Sequence, residues 1–554
     1  MPVRAISNVP RKPLPMPPDM PREDYAGPAA YTVSFIGRTI KYIIYGTMGL
    51  GATAYLAFEG AHAYVEHVSL AAPSRAVDGD EWAWADENQA WTGGVKGGTD
   101  SRLGWRGRHA LRGAWICWEW GAGDSGSTIS RHPEFKRGMI GASPVNRVDR
   151  GYELAEEYID AAIRVAEAKM AFPPHLPGLR EPGPAGLAAP SVPADPTALD
   201  LLTLKAGVLE RMGPETLDHA RELYERVATA YVGVDAAKDG AVKAARAMRL
   251  AHKLGDLAQR AAEPDVARAW WAWGLERAAL SLPTADSPVA AASGASGWWP
   301  FGGSGSAAPS TATSADDLPT SAPLPAPIVR AAVSILVSAS AASAQSGALP
   351  AAAAIQAEAL RLLPPAVQPS VPGPGQGASG LQKLWEVQRR ALLTLHAASV
   401  AHAQGTKGVS PLEMSAEAAE ASEALLSVLN PTLPAALAQP RGNVCTQPAK
   451  RLVRDTLTTG AEAYYTEAAL LERSAAGRRD KSDALHRLEH AAESYERAMS
   501  LSAAEEGQVP ASGFGEEDAI GRGEEWTRYW RGYVRVRDKM VRLVEEGAVP
   551  TKHA

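Results

Sequence analysis

Only two of the 554 residues are cysteine, Cys117 and Cys445. Two thiols cannot make a zinc site alone or a disulfide framework. One bridge between them is open, and the redox compartment stays open with it. Phenylalanine is scarce, at six residues. No segment sustains the period-two alternation of a half-buried strand, so almost no sheet is expected. A formal net charge of -6 removes the electrostatic case for nucleic acid. Stretches expected to cross a bilayer are missing, with one exception. What is abundant is alanine, proline, glycine and serine, with 45% hydrophobic residues in all. That mixture predicts Ala-rich helices joined by flexible connectors.

The exception is Tyr42–Phe58, 17 residues without a charge between Lys41 and Glu59. As a helix it spans roughly 26 Å, and Ile36 and Ile40 extend it if Arg38 and Lys41 snorkel. Tyr42, Tyr45, Tyr55 and Tyr64 suit membrane interfaces. Gly46, Thr47 and Gly51 form a small-residue face on which another membrane helix could pack. Three glycines in six residues disfavour a helix in water. Bases predominate before the run (Arg4, Arg11, Lys12, Arg22, Arg38, Lys41). Acids predominate after it (Glu59, Glu66, Asp78, Asp80, Glu81, Asp86, Glu87). The expectation is a single transmembrane helix with its N-terminus on the cytosolic or matrix side. Six prolines by Pro18 weaken a targeting helix at the start.

Beyond the span, helical patterns alternate with breakers. The segment LGDLAQRAAEPDVARAWWAWGLERA, Leu254 to Ala278, resembles the helix–turn–helix unit of the tetratricopeptide repeat (TPR). Leu254, Gly255 and Ala258 fit its first helix. Ala267, Trp271 and Gly274 fit the second, at i, i+4 and i+7 on one face. Weaker copies place Ala220, Tyr224 and Val227, then Ala491, Tyr495 and Ala498, on second helices. Tyr152–Ala166 pairs with Arg102–Trp120, two degenerate pairs fall at 327–363 and 381–429, and 522–546 reads as a capping helix. The expected fold is all-α: one N-terminal transmembrane helix followed by a divergent TPR-like array, an α-solenoid. An irregular bundle is the alternative. The expected boundaries are a disordered basic, Pro-rich tail at 1–38, the span and its flank at 39–66, and an acidic Trp-rich segment at 67–101. Repeats follow at 102–280, a disordered insertion at 281–326, further repeats and the cap at 327–546, and a tail at 547–554.

Several motifs resemble catalytic ones. GDSGS, 123–127, matches a serine-protease loop but lacks that fold's context and reads as a turn. His486, Glu489 and His490 in HRLEH have zinc-hydrolase spacing. They need a third ligand, and a solvated helix face explains them as well. GTMGLG, 46–51, follows no strand, and no Walker-type lysine occurs. No catalytic, cofactor-binding or metal residue is therefore expected. Seven of the 15 tryptophans cluster as Trp82, Trp84, Trp91, Trp105, Trp115, Trp118 and Trp120. They could cap the array, rest at the membrane interface, or dock a partner. GWWPFGG, 297–303, could dock a partner or plug its own array. In stacked repeats the first helices line a groove for extended peptides. Aligned on the best unit, that groove holds Arg249, His252, Asp256 and Gln259. These could equally be solvated surface.

The order of parts resembles a known family, the fungal TPR adaptor subunit of the mitochondrial inner-membrane i-AAA protease supercomplex. The resemblance is carried by AFEGAHAYVEHVSLA (57–71), WTGGVKGGTD (91–100) and GRHALRGAW (107–115), ahead of the divergent repeats. It implies a non-catalytic protein without cofactors, N-terminus in the matrix and repeats in the intermembrane space. Such an adaptor binds unfolded or misassembled polypeptides and delivers them to the i-AAA protease. It implies three kinds of partner besides these clients: the protease, a further membrane adaptor subunit, and lipid. A TPR receptor or scaffold in another membrane is the alternative, and a zinc hydrolase the remoter one.

Overall fold

The computed structural model describes residues 26–71, 82–88, 91–121, 150–176, 183–283, 324–364, 377–406, 409–437, 444–476, 478–505 and 524–547. GDSGS, GWWPFGG, residues 1–25 and most of the 281–326 connector lie outside them. The all-α expectation is borne out: the described residues form helices, turns and one isolated bridge, Ala71 to Gly97. The chain divides into two compact units, Met1–Tyr64 and Val65–Ala554.

The first unit contains α1, Ala26–Tyr64. It starts well before Thr39, inside the stretch read as tail. Pro28 does not prevent this, because a first-turn proline lacks only an N–H that has no helical acceptor. The apolar side chains point outward all round: Tyr31, Phe35, Tyr42, Ile43, Tyr45, Met48, Leu50, Leu56 and Phe58 are all exposed. Thr39, Thr47 and Thr53 turn their hydroxyls inward, donating to Phe35 O, Ile43 O and Gly49 O at 3.0, 2.5 and 2.9 Å. Each thereby satisfies its polar group within the helix itself.

The second unit opens with a π turn, Val65–Ser69. Glu66 is almost fully buried there and collects a network. Thr99 donates to it from its N–H (3.0 Å) and hydroxyl (2.8 Å), and Arg108 donates at 2.7 Å. Arg112 adds an ion pair at 3.4 Å. Burial pushes the Glu66 carboxyl up, but these partners outweigh it and hold it below the ordinary range. The three segments quoted above for the family resemblance thus meet at one carboxylate. The Gly-rich loop between them needs its glycines. A Cβ on Gly93 would lie 2.1 Å from Gly97 O, and Gly98 has φ +70° with Glu66 Oε1 where a Cβ would go.

Helices then follow in antiparallel-style succession: α2 (Gly104–Glu119), α3 (Arg150–Glu167), α4 (Pro196–Met212), α5 (Leu217–Ala228), α6 (Ala241–Arg260), α7 (Pro264–Glu276), α8 (Ala326–Gln345), α9 (Leu349–Leu362), α10 (Gly377–Gln404), α11 (Pro411–Leu437), α12 (Thr446–Ala476), α13 (Lys481–Glu505) and α14 (Glu524–Glu545). From α2 onward each packs on its successor, and α6, α8, α10, α12 and α14 also pack each on the next of their own set. Small residues permit this closeness. A Cβ on Gly255 would fall 2.2 Å from Trp271 Nε1, and one on Gly274 2.8 Å from Ala251 Cβ. Around these lie Leu254, Ala258, Ala267 and Trp271, all buried. Ala220 and Tyr224 are buried between α4, α5 and α6, and Ala491, Tyr495 and Ala498 on α13. Truncating one such tryptophan to alanine costs ~3–5 kcal/mol.

Helix α14 closes the stack. Trp526, Tyr529 and Val536 are buried, and Gly532 gives way to the Tyr495 ring. Across the same contact Glu472 accepts from Arg535 (2.7 Å) and Lys539 (2.7 Å).

Helix α8 is the one described helix whose length and mean hydropathy (1.5) would suit a membrane. It is instead a core helix: Ile328, Val333, Ile335 and Leu336 are buried in the main apolar cluster. Its single charge, Arg330, is buried with them.

Candidate peptide-binding groove

Four helices that pack side by side, α6, α8, α10 and α12, share one further ligand: the segment Trp82–Asn88, which carries a single 3-10 turn at Ala85–Glu87. Its backbone enters through Ala83, at φ 51° in the left-handed region that costs a non-glycine residue ~1–2 kcal/mol. That turn drives Trp84 inward, to 1% exposure within the main apolar cluster. The indole Nε1 donates to Ala378 O on α10 at 3.0 Å. The Arg330 guanidinium stacks over the ring at 3.9 Å, a desolvated cation–π contact worth ~2 kcal/mol.

Arg330 organises the rest. It donates to Glu87, to Trp82 O at 2.6 Å and to Gln382 Oε1 at 2.6 Å. On α6, Arg246 and Arg249 both grip Asp86. Arg246 reaches it through Nε at 2.7 Å, and Arg249 bonds its carboxylate at 2.5 Å and its carbonyl at 3.0 Å. From α12, Arg451 donates to Glu87 O at 2.9 Å, and Asn88 donates to Val444 O at 3.1 Å. Four arginines therefore meet two carboxylates and three main-chain carbonyls of the segment.

The electrostatics follow. Its hydrogen bonds to Asp86 raise the Arg246 pKa. Burial lowers that of Arg451, with Glu87 opposing. Nearby Asp200 on α4 is pushed up to about 6 by burial, with Arg246 opposing and Asp86 reinforcing. A face carrying this much fixed positive charge favours acidic occupants.

Of the four residues expected to line a groove, only Arg249 touches this segment. His252 hydrogen-bonds Ser338 of α8 at 2.9 Å and its imidazole is held below its ordinary pKa by burial. Gln259 turns its Oε1 into the interior, and Asp256 remains accessible beside His252. The reason is rotational. Helix α8 covers the face of α6 that carries His252, so the arginines at 246 and 249 take the open edge. Arg246, Arg330 and Arg451 were not anticipated. A visible sign was the lone charge in the otherwise uncharged run of α8.

The tryptophan cluster is split. Trp82 and Trp84 serve this groove. Trp91 packs edge-on to Trp118, which lies under Arg211, while Trp105 and Trp120 are exposed. His486 and Glu489 stand 3.9 Å apart on α13. Among the described residues no group of three metal-ligating side chains forms. Gly46, Thr47 and Gly51 lie on the exposed surface of α1, the two glycines with nothing within 4 Å of a Cβ.

No known family model matches this chain, and no curated protein matches it significantly.

Proposed function

We propose that the protein is a non-enzymatic, membrane-tethered adaptor whose second unit is a TPR-like α-solenoid that binds short polypeptide segments. The observation carrying this is the course of Trp82–Asn88 across α6, α8, α10 and α12. Alternate helices of a stack packing on one another is the connectivity of helix-pair solenoids, whose first helices line a groove. Here that face holds a peptide-like segment through its main chain, its carboxylates and one buried indole.

The tether is α1. Its apolar surface is exposed on every side, which water penalises and a bilayer rewards. Its threonines satisfy themselves internally, as lipid requires. The charge asymmetry orients its N-terminus to the cytosolic or matrix side. The address and the client class follow from the family resemblance. The adaptor sits in the mitochondrial inner membrane, repeats in the intermembrane space, and hands unfolded or misassembled chains to the i-AAA protease alongside a further membrane subunit. Tethering acts by raising local concentration at the protease.

The experiment is affinity purification of the full chain in mild detergent, compared with Gly51→Leu. An ATP-dependent zinc protease should co-purify with the native chain and be lost with the variant. Absence of such a protease refutes the delivery reading, and unchanged recovery with Gly51→Leu removes α1 from the assembly. A C-terminal tag protected in intact mitochondria and cleaved after outer-membrane rupture supports this address; any other pattern favours a scaffold elsewhere.

A further inference from the structure

We propose that the arginine-lined face of α6, α8, α10 and α12 recognises short acidic segments bearing a tryptophan, and that Trp82–Asn88 is its built-in occupant, displaced by partner segments of the same chemistry. This rests on the peptide-binding reading above, but not on the membrane address or the protease.

The specificity is written in what the site already holds. Position zero is an indole, buried to 1% exposure under Arg330, its N–H spent on Ala378 O. A leucine would forgo both the cation–π contact and that hydrogen bond, and a phenylalanine the hydrogen bond. Two residues on, a carboxylate meets Arg246 and Arg249; three residues on, another meets Arg330. The pattern is Trp-x-Asp-Glu. Main-chain carbonyls of Trp82, Asp86 and Glu87 accept further guanidinium hydrogens, and any peptide can supply such carbonyls.

Exchange is physically reasonable because the contacts are the same for either occupant. The segment contributes only a single 3-10 turn, Ala85–Glu87, and although Asp86 is itself 10% exposed, the Arg246 side chain that grips it is 51% exposed. A partner segment bringing an equivalent indole and carboxylates replaces each contact one for one. The internal segment then holds the site only by proximity. Short tethers give effective concentrations of ~1 mM, so a partner binding an empty site at ~10 µM would appear ~100-fold weaker against the intact chain. The site is thus self-covered until a locally concentrated acidic, Trp-bearing chain arrives.

The test uses a fluorescent peptide of residues 80–90, DEWAWADENQA, titrated by anisotropy against the full-length protein in detergent. Three proteins are compared: native, Asp86→Lys, and Asp86→Lys with Arg249→Glu. Loosening the internal segment by Asp86→Lys should tighten peptide binding at least tenfold. The added Arg249→Glu should reverse that gain. A peptide carrying alanine at the Trp84 position should bind at least tenfold more weakly than the parent. Should Asp86→Lys alter the thermal melt, Glu87→Gln makes the same comparison with a gentler change. Equal affinity for the native and loosened chains overturns the proposal, as does no binding to either. Equal binding of the indole-free peptide reduces the site to a basic patch and also overturns it. Loss of protease co-purification with peptide binding intact would remove the delivery reading and leave this site standing; the converse would leave delivery and remove the site.

Discussion

Replacing Arg330 by methionine removes the only charge of α8 while keeping its volume and unbranched shape. The side chain is 3% exposed, against 18% for Glu87. The substitution deletes hydrogen bonds to Glu87, Trp82 O and Gln382, and the stacking on Trp84. Breaking a buried pair from one side costs ~3–5 kcal/mol, because the other charge is left behind. Glu87 can partly rehydrate, which places the expectation at the lower end, about 3 kcal/mol. Glu87→Gln alone should cost less, about 1–2 kcal/mol, since Arg330 keeps its other partners. A double-mutant cycle should therefore return a coupling of about 1–2 kcal/mol. The assay is thermal and denaturant unfolding followed by circular dichroism, with hydrogen exchange read over residues 82–88. The segment should lose protection in Arg330→Met before any helix does. A cost below about 0.5 kcal/mol with 82–88 still protected would mean that Trp84 is held by shape alone. The charge-based account of the groove would then be refuted.

Glu472 is pushed up by burial but drawn to about 2 by Arg535 and Lys539. Its contribution is therefore present above the ordinary carboxylate range near 4.5 and lost as pH falls from there towards 2. The shift alone is worth ~3 kcal/mol, and with both cations about half-exposed, screening leaves about 1–2 kcal/mol. Glu472→Gln should lose that much in a pH 7 melt and flatten the acid limb of the stability profile; an unchanged acid limb would contradict the network. Asp200 has the opposite sign, because burial raises it to about 6, so its ionisation cost appears as pH rises through 4 to 6. Asp200→Asn should stabilise the protein at pH 7 by about 1–2 kcal/mol and do nothing at pH 4, which paired melts at the two pH values will check. Gly255→Ala places a Cβ 2.2 Å from Trp271 Nε1 and should destabilise by about 1–2 kcal/mol net of helix propensity. Gly377→Ala, with open space around it, should be neutral within ~0.5 kcal/mol.

What could be read in advance was governed by local rules. Period, breakers and small–aromatic–small spacing depend on residues within one or two turns. Accordingly Leu254, Gly255, Trp271 and Gly274 identify a tightly packed helix pair before any coordinates exist. The start of α1 was misjudged for the same reason, since the residues before Thr39 carry a weak signal. The groove could not be read this way. Which edge of α6 stays open depends on where α8 lies against it, and that contact joins residues such as His252 and Ser338, far apart in sequence. Alignment on a single repeat chose His252, which bonds Ser338 of α8, and Gln259, whose Oε1 is buried. The occupant was less legible still. Trp84, Asp86 and Arg249 look like separate surface features until Ala83 turns the chain and places the indole inside. The Glu66 network is the same kind of fact: three sequence segments, none informative alone, share one buried carboxylate.

Hydropathy and burial disagree about which helix belongs in a membrane, and the disagreement is informative. Helix α8 alone among the described helices reaches membrane-like mean hydropathy over a span-length window, yet Arg330 fixes it inside the stack: moving it to lipid would strip Glu87, Gln382 and Trp84 of their shared partner. Helix α1 is diluted by tyrosine, glycine and threonine, which lower its mean hydropathy. Those tyrosines fall towards the ends of the run, and the threonines have already satisfied their hydroxyls on the preceding turn. Both features reduce hydropathy while costing little in a bilayer. A charge at the centre of α1 would cost ~2.5–3.5 kcal/mol on insertion, and none is present between Lys41 and Glu59. The deciding quantity is whether each polar group has somewhere to go. In α8 the arginine's partners are protein groups. In α1 the hydroxyls need no others, and its exposed apolar surface is what the proposed tether would present to lipid.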